Sequence, residues 1–263
     1  FMDFVGCGLF LPGMPAEHLL RVVADGLAWL ERVGKASWGA GLRWQRGELL
    51  LNQSQLPEAR QELEVALALA RRQPDAPGYV LATHQLALAD VLRQLNAYAE
   101  AVELAEEVLA APTSSRYALR WANRTLAYAR LGLQEYPAAL AAARECLALA
   151  QAMQSPQVLS SAYEVLGQVQ RTMGQMAEAM QSAAQYWRWA RREGSIEYAY
   201  FALDSCARVR LLQVRQASRL SLEEELPEHL PAEADRTQTV HLLASARRFV
   251  ERARPLARRL DQA

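Results

Sequence analysis

The chain has 263 residues and a mass of 29.3 kDa, with hydrophobic residues at 51% and charged residues at 22%. This balance excludes a disordered chain and supplies apolar surface for a long core. The 29 basic and 29 acidic residues cancel, so the molecule as a whole has no basic field for nucleic acid or an anionic membrane. A single isoleucine, Ile196, in an alanine-rich chain argues against sheets and for an all-α fold.

Residues 1–15 form an N-terminal segment whose apolar run, 4–14, contains Gly6, Gly8 and Pro12. It falls short of the roughly 20 residues a membrane-spanning helix needs, and it lacks the basic start and small-residue cleavage site of a secretory signal. Residues 16–32 read as the second helix of a repeat whose first helix is missing. From there one register recurs. A small residue behind a bulky or polar one is followed twelve residues later by an alanine that opens a second apolar run: Arg46-Gly47 with Ala59, Leu88-Ala89 with Ala101, Leu126-Ala127 with Ala139, and Leu166-Gly167 with Ala179. The alanines stand 42, 38 and 40 residues apart, a period of about 40, and Cys206-Ala207 opens a fifth unit at the same interval.

Apolar residues recur three and four apart within each unit, so each reads as two antiparallel helices. In the second unit Leu88, Leu92 and Leu95 line one helix and Asn96 marks the turn. Tyr98, Ala101, Leu104, Ala105 and Val108 line the other, with Tyr98 filling the corner. Small residues at Ala89 and Ala101 let the two backbones approach closely. Pro, Gly and Ser at 73–78, 111–115, 154–156 and 193–195 separate one hairpin from the next.

Small at the eighth position, alanine at the twentieth and a bulky residue three before it (Leu56, Tyr98, Tyr136, Met176) resemble the tetratricopeptide repeat, over roughly residues 16–212. The period exceeds that repeat's usual length of about 34, and the tryptophan expected at the fourth position is absent. The longer variety is similar to helical arrays in bacterial regulators of the maltose-activator type and in signalling ATPases. The resemblance implies an α-solenoid of about five stacked antiparallel helix pairs over 16–218, a right-handed superhelix with the first helices on its concave face and a capping helix at the C-terminus. It also implies a non-enzymatic scaffold or sensor for a protein or peptide, in a larger bacterial signalling or regulatory protein. An alternative is the effector-binding region of a transcription regulator whose DNA-binding domain lies outside this chain.

Carrying the groove positions across places Trp44 and Glu48 on the concave face of the first unit, and Thr83, Asp90, Arg93 and Gln94 on that of the second. Trp121, Arg124 and Tyr128 follow from the third, Glu164, Gln168 and Arg171 from the fourth, and Asp204 and Arg208 from the fifth. Arginine forks beside aromatic rings have the composition of binding hot spots and point to an acidic or carboxylate-ended partner, with a small effector as a further option. The competing reading is that Glu48, Asp90, Glu164 and Asp204 neutralise those arginines on a solvated face.

Cys7, Cys146 and Cys206 are odd in number and irregularly spaced, which fits neither a disulfide framework nor a zinc site and points to the cytoplasm. The register places Cys146 and Cys206 in the core, away from His18, His84, His229 and His241, and leaves Cys7 unassigned. Trp187 and Trp189, in the aromatic-basic run 186–192, read as helix packing before base stacking. The sequence contains no phosphate-binding glycine loop, H-E-x-x-H, C-x-x-C or G-x-S-x-G motif, so no enzyme, cofactor or metal is expected.

The register ends near Ala217. Residues 219–235 carry six carboxylates against Arg219, interrupted by Pro227 and Pro231, and read as an acidic linker that folds back near the arginines. Residues 236–263 carry seven arginines against Glu251 and Asp261, with an apolar seam at Leu242, Ala246, Phe249, Ala253, Leu256 and Leu260. That seam has the rhythm of a helix laid on another helix, as a terminal cap, in a homodimer or beside an acidic partner. Pro255 is expected to kink or restart the helix after Arg254.

Overall fold

A computed structural model describes residues 15–73, 77–112, 115–217 and 236–260. The expected N-terminal segment up to residue 14, with Cys7, and the acidic linker 219–235 lie outside the described residues. Every regular element among the described residues is helical: α1 Ala16–Arg32, a short 3-10 turn Ala36–Gly39, α2 Ala40–Asn52, α3 Leu56–Arg71, α4 Gly78–Gln94 and α5 Tyr98–Ala110. There follow α6 Arg116–Gly132, α7 Tyr136–Met153, α8 Pro156–Thr172, α9 Met176–Glu193, α10 Ile196–Ala217 and α11 Arg236–Leu260. The chain divides into two compact units, Phe1–Glu135 and Tyr136–Ala263.

The joints that follow α2, α4, α6 and α8 share one geometry. Three residues separate α2 from α3, α4 from α5, α6 from α7 and α8 from α9. The middle residue of each joint, Ser54, Asn96, Gln134 or Gly174, has positive φ. The next amide reaches back to the carbonyl five residues earlier: Gln55 to Leu50, Ala97 to Leu92, Glu135 to Arg130 and Gln175 to Gln170, at 2.8–2.9 Å. This is the Schellman closure of the first helix, which satisfies carbonyls that a helix end would otherwise orphan. A proline in the first turn of α3 and of α8 and a Ser115 side chain that accepts from the Ala118 amide at 3.2 Å start helices where the sequence places them.

In the first unit, α1 contributes Val23, Leu27 and Leu30 to a cluster with Leu42 and Leu49 of α2. The main cluster joins α2 to α6 through Leu50, Leu63, Leu67, Leu88, Val91, Leu92 and Ala129. The register alanines Ala59, Ala101, Ala139 and Ala179 are all fully buried. The small residues beside them keep the helices close: a Cβ on Gly47 would lie 2.5 Å from Leu63. Tyr98 does not merely fill its own hairpin corner. Its ring covers Gly132 of α6, where a Cβ would fall 2.4 Å from the ring.

In the second unit, α8 and α9 pair, α9 packs on α10, and α11 lies along α10. Leu242, Ala246 and Ala253 of the α11 seam are buried, so the helix caps α10. Helix α11 runs unbroken from Arg236 to Leu260 through Pro255, which corrects the expected restart after Arg254. Proline removes one intrahelical hydrogen bond, and Leu242, Ala246 and Ala253 before it are buried while Leu256 and Leu260 beyond it are half-buried. Cys146 and Cys206 are buried, and burial, set against the nearby Arg210 charge, pushes the Cys206 thiol up to about 11, which makes it an inert core residue. Trp187 packs against the Tyr186, Ala190 and Ala202 cluster, and Trp189 against that of Cys146 and Leu159.

Candidate functional site

In the first unit the groove candidates of α2, α4 and α6 meet around one buried carboxylate. Asp90 is 7% exposed. Its Oδ2 accepts from Trp121 Nε1 at 2.9 Å and from Arg124 Nη2, and its Oδ1 accepts from the Thr125 hydroxyl at 3.1 Å. Arg93, one turn along α4, places Nε 3.7 Å from Oδ1 and lays its guanidinium over the Tyr128 ring, 4.9 Å from the centroid. Burial alone would push the Asp90 carboxyl up, but Arg124, Arg93 and the Trp121 and Thr125 hydrogen bonds together hold it below the usual aspartate range. Asp90 is therefore an anchor: it fixes the indole, both guanidiniums and, through Arg93, the tyrosine in one arrangement.

Glu48, one turn after Trp44 on α2, borders this cluster. Burial first, then the Asp90 charge, push its carboxyl up to about 7 against the opposing pull of Arg124. Glu48 Oε1 and Trp44 Nε1 are shielded from solvent without a hydrogen-bond partner among the described residues. The Trp44 ring lies 6.1 Å from that of His84, which contacts the Val80 carbonyl at 2.7 Å and the Ala40 carbonyl at 3.3 Å. Thr83 donates to the Tyr79 carbonyl of its own helix, and Gln94 is exposed at the end of α4. Neither joins the cluster.

Sequence reasoning missed three residues here. Thr125 completes the Asp90 coordination. Tyr117, 51% exposed, stands edge-on to Trp121 at 6.1 Å and extends the aromatic row of α6. Arg120, 6% exposed, has its guanidinium 5.1 Å from the Tyr117 centroid. The i, i+4 spacing of Tyr117 and Trp121 was the available signal for the tyrosine.

The candidates of the second unit are arranged differently. Glu164, Gln168 and Arg171 line a crevice with Tyr163, Gly167 and Ser205, of about 20 Å³, room for roughly one water molecule. Asp204 and Arg208 form an ion pair one turn apart along α10, both partly exposed. A broader cleft of about 640 Å³ opens between the ends of α7, α8 and α9, lined by Gln151, Gln154, Pro156, Leu159, Tyr163, Trp189 and Arg192. Among the described residues no group of histidine, cysteine and carboxylate side chains could hold a metal ion, and no helix is long and apolar enough to cross a membrane.

The paired helices, Schellman joints and buried register alanines define a helical-repeat protein. Residues 40–114, which span the first two complete hairpins, match the tetratricopeptide repeat family model. Among solved structures, BtubC (BKLC) from P. vanneervenii is similar in fold, with a TM-score of 0.67 at 13% identity, over 95% of this chain and 94% of that one. No curated protein matches by sequence. Tetratricopeptide repeats generally mediate protein–protein interaction.

Proposed function

We propose that the chain is a non-enzymatic interaction scaffold, and that the α2/α4/α6 face of the first unit takes up an acidic segment of a protein partner in the concave groove of a tetratricopeptide-like superhelix. The observation that carries this reading is the Asp90 cluster, which holds Trp121, Arg93, Arg124 and Tyr128 in one geometry before any partner arrives. Aromatic and arginine side chains fixed in advance lose little entropy on binding and supply most of the energy of an interface. Arg93 and Arg124 already face Asp90, so they shape the surface more than they grip the partner. In the second unit Glu164, Gln168, Arg171, Asp204 and Arg208 carry the same reading. The scaffold serves as the sensing or assembly region of a larger regulatory or signalling protein.

Selection of peptides from a random display library against the full chain tests the reading. Selected peptides should be rich in carboxylates and should lose affinity by about tenfold or more when Tyr128 is replaced by alanine. Peptides that bind the Tyr128→Ala chain as well as the parent refute it.

A further inference from the structure

The net charge of zero conceals one strongly basic element. Helix α11 carries Arg247, Arg248, Arg252, Arg254, Arg258 and Arg259, all exposed, against Glu251. In the first unit arginines meet carboxylates across helix pairs, as Arg43 meets Glu62 and Arg71 meets Glu107. On α11 the ion pair among the described residues is Arg247 with Glu251, one turn along at 2.8 Å. Arg248 with Arg252 and Arg254 with Arg258 are like charges four residues apart, an arrangement that weakens a helix. The helix dipole favours positive charge in the last turn, which covers Arg258 and Arg259 and leaves Arg248, Arg252 and Arg254 without a stabilising role.

The arginines are ordered as well as concentrated. At about 100° per residue, Arg247, Arg254 and Arg258 fall on one flank of the helix, and Arg248, Arg252 and Arg259 on another about 120° away, where exposed His241 joins them. Between the flanks runs a strip of Ala244, Glu251 and Pro255, also exposed. The apolar seam lies on the opposite side, seated on α10. Two cationic flanks with a small, acid-bearing strip between them match the two phosphate strands that border a major groove about 12 Å wide, which admits one α-helix. The stretch from Arg247 to Arg259 is about 18 Å long and spans about five phosphates of each strand. Other polyanions fit less well. The seam is taken up by α10, so no apolar face is left to enter a bilayer. An acidic protein surface would meet Glu251 at its closest approach. The strip bears no aromatic ring on which the bases of a single strand could stack, and the narrow major groove of an RNA duplex shuts side chains out.

We propose that the exposed face of α11 docks in the major groove of B-form DNA, with its two arginine flanks on the phosphates of opposite strands and without sequence preference. This is independent of the acidic-partner reading of the first unit. Phosphate contacts position the helix, and release of condensed counter-ions supplies the affinity. Glu251 then faces the floor of the groove, away from both rows of phosphates.

The test is fluorescence anisotropy of a labelled, mixed-sequence DNA duplex of about 20 base pairs, titrated with the protein at about 50 to 200 mM salt. Six carboxylates at 219–235 precede α11 in the sequence, so the assay keeps the full chain and any competition from them. Binding should be on the order of micromolar at the lowest salt, and log K should fall against log[salt] with a slope of about −4 to −5. The triple variants Arg247→Gln/Arg254→Gln/Arg258→Gln and Arg248→Gln/Arg252→Gln/Arg259→Gln should each weaken binding by at least about tenfold and make the slope shallower by about 2 to 3. Their melting temperatures should stay within about 2 °C of the parent. Should a triple variant unfold, Arg252→Gln and Arg254→Gln alone should each make the slope shallower by about 0.9. Absence of binding by the parent chain, binding unchanged in both triple variants, or loss confined to one flank overturns the proposal. Tighter binding of an RNA duplex of equal length, of polyglutamate of equal charge or of phosphatidylserine vesicles overturns it in favour of that polyanion.

Discussion

The α2/α4/α6 face of the first unit and the α8/α10 face of the second derive from the same repeat register, yet they handle charge in opposite ways. In the first, one buried aspartate gathers ligands from two helices, so Trp121, Arg124 and Thr125 are locked to α4. In the second, Asp204 and Arg208 satisfy each other along a single helix and stay in water. Acid and base therefore recur in both places, but only where the acid is buried across a helix–helix contact does it organise a surface.

The sharpest way to break that contrast is to remove the two acids in turn. Asp90→Ala should cost about 3 kcal/mol in urea unfolding, since two guanidiniums and an indole lose their acceptor. Asp204→Ala should stay within about 0.5 kcal/mol. Comparable losses from the two would show that Asp90 is no anchor.

Close packing at the small-residue position gives a second comparison. Gly47→Ala drives a Cβ to 2.5 Å from Leu63, a fully buried side chain, and should destabilise by about 1–2 kcal/mol after the helix-propensity gain. Gly167→Ala brings a Cβ to 3.3 Å from the Ser182 Cβ and to 3.7 Å, an ordinary contact, from the Ala179 carbonyl and the Ala183 amide, and should be close to neutral, because the propensity gain offsets a small displacement. The two melting temperatures, measured side by side, decide this.

Protonation of Glu48 separates the units again. Its folded-state carboxyl is raised to about 7, above the value it has in the unfolded chain, so the native state holds the proton more tightly. That contribution is complete below about pH 4.5 and is lost as pH rises through about 7. Glu48→Gln should therefore flatten the decline in stability between pH 5 and 8, by on the order of 1 kcal/mol at the alkaline end. An unchanged profile in Glu48→Gln would remove this carboxyl from the cluster.

The smallest effect concerns the hairpin joints. Gln134 carries positive φ in its joint, where Gly174 does the same without a side chain. Gln134→Gly should stabilise by about 0.5 kcal/mol, the relief of left-handed strain exceeding the added chain entropy. Gly174→Ala should cost about 1 kcal/mol. Equal effects of one sign would contradict the shared geometry.

The helical pairs were legible from the sequence because the buried alanines, the small residues opposite them and the turn residues recur in phase, and each imposes its own packing constraint. The cluster was legible in part. The repeat positions brought Asp90, Trp121, Arg124 and Tyr128 to one face, but could not reveal that Asp90 would consume both arginines, since that depends on side-chain reach across α4 and α6. Arg120 was hidden for a related reason: in a one-dimensional register it falls among positions that pack, where charge is easily read as solvated. Pro255 misled because the rule for proline in a helix is local, while α11 is held by its seam on α10.

The three-residue joints are the one length the array keeps constant. Beyond each joint the chain is free to vary: the second helices have 16, 13, 18 and 18 residues, and the connections after them shrink from six residues to two. Insertions and grafted sequences should accordingly be accepted at 72–77 or 111–115, past the second helices, and rejected at 53–55 or 95–97. There, one added residue would rotate a whole helix by about 100° and turn its apolar stripe away from its neighbour.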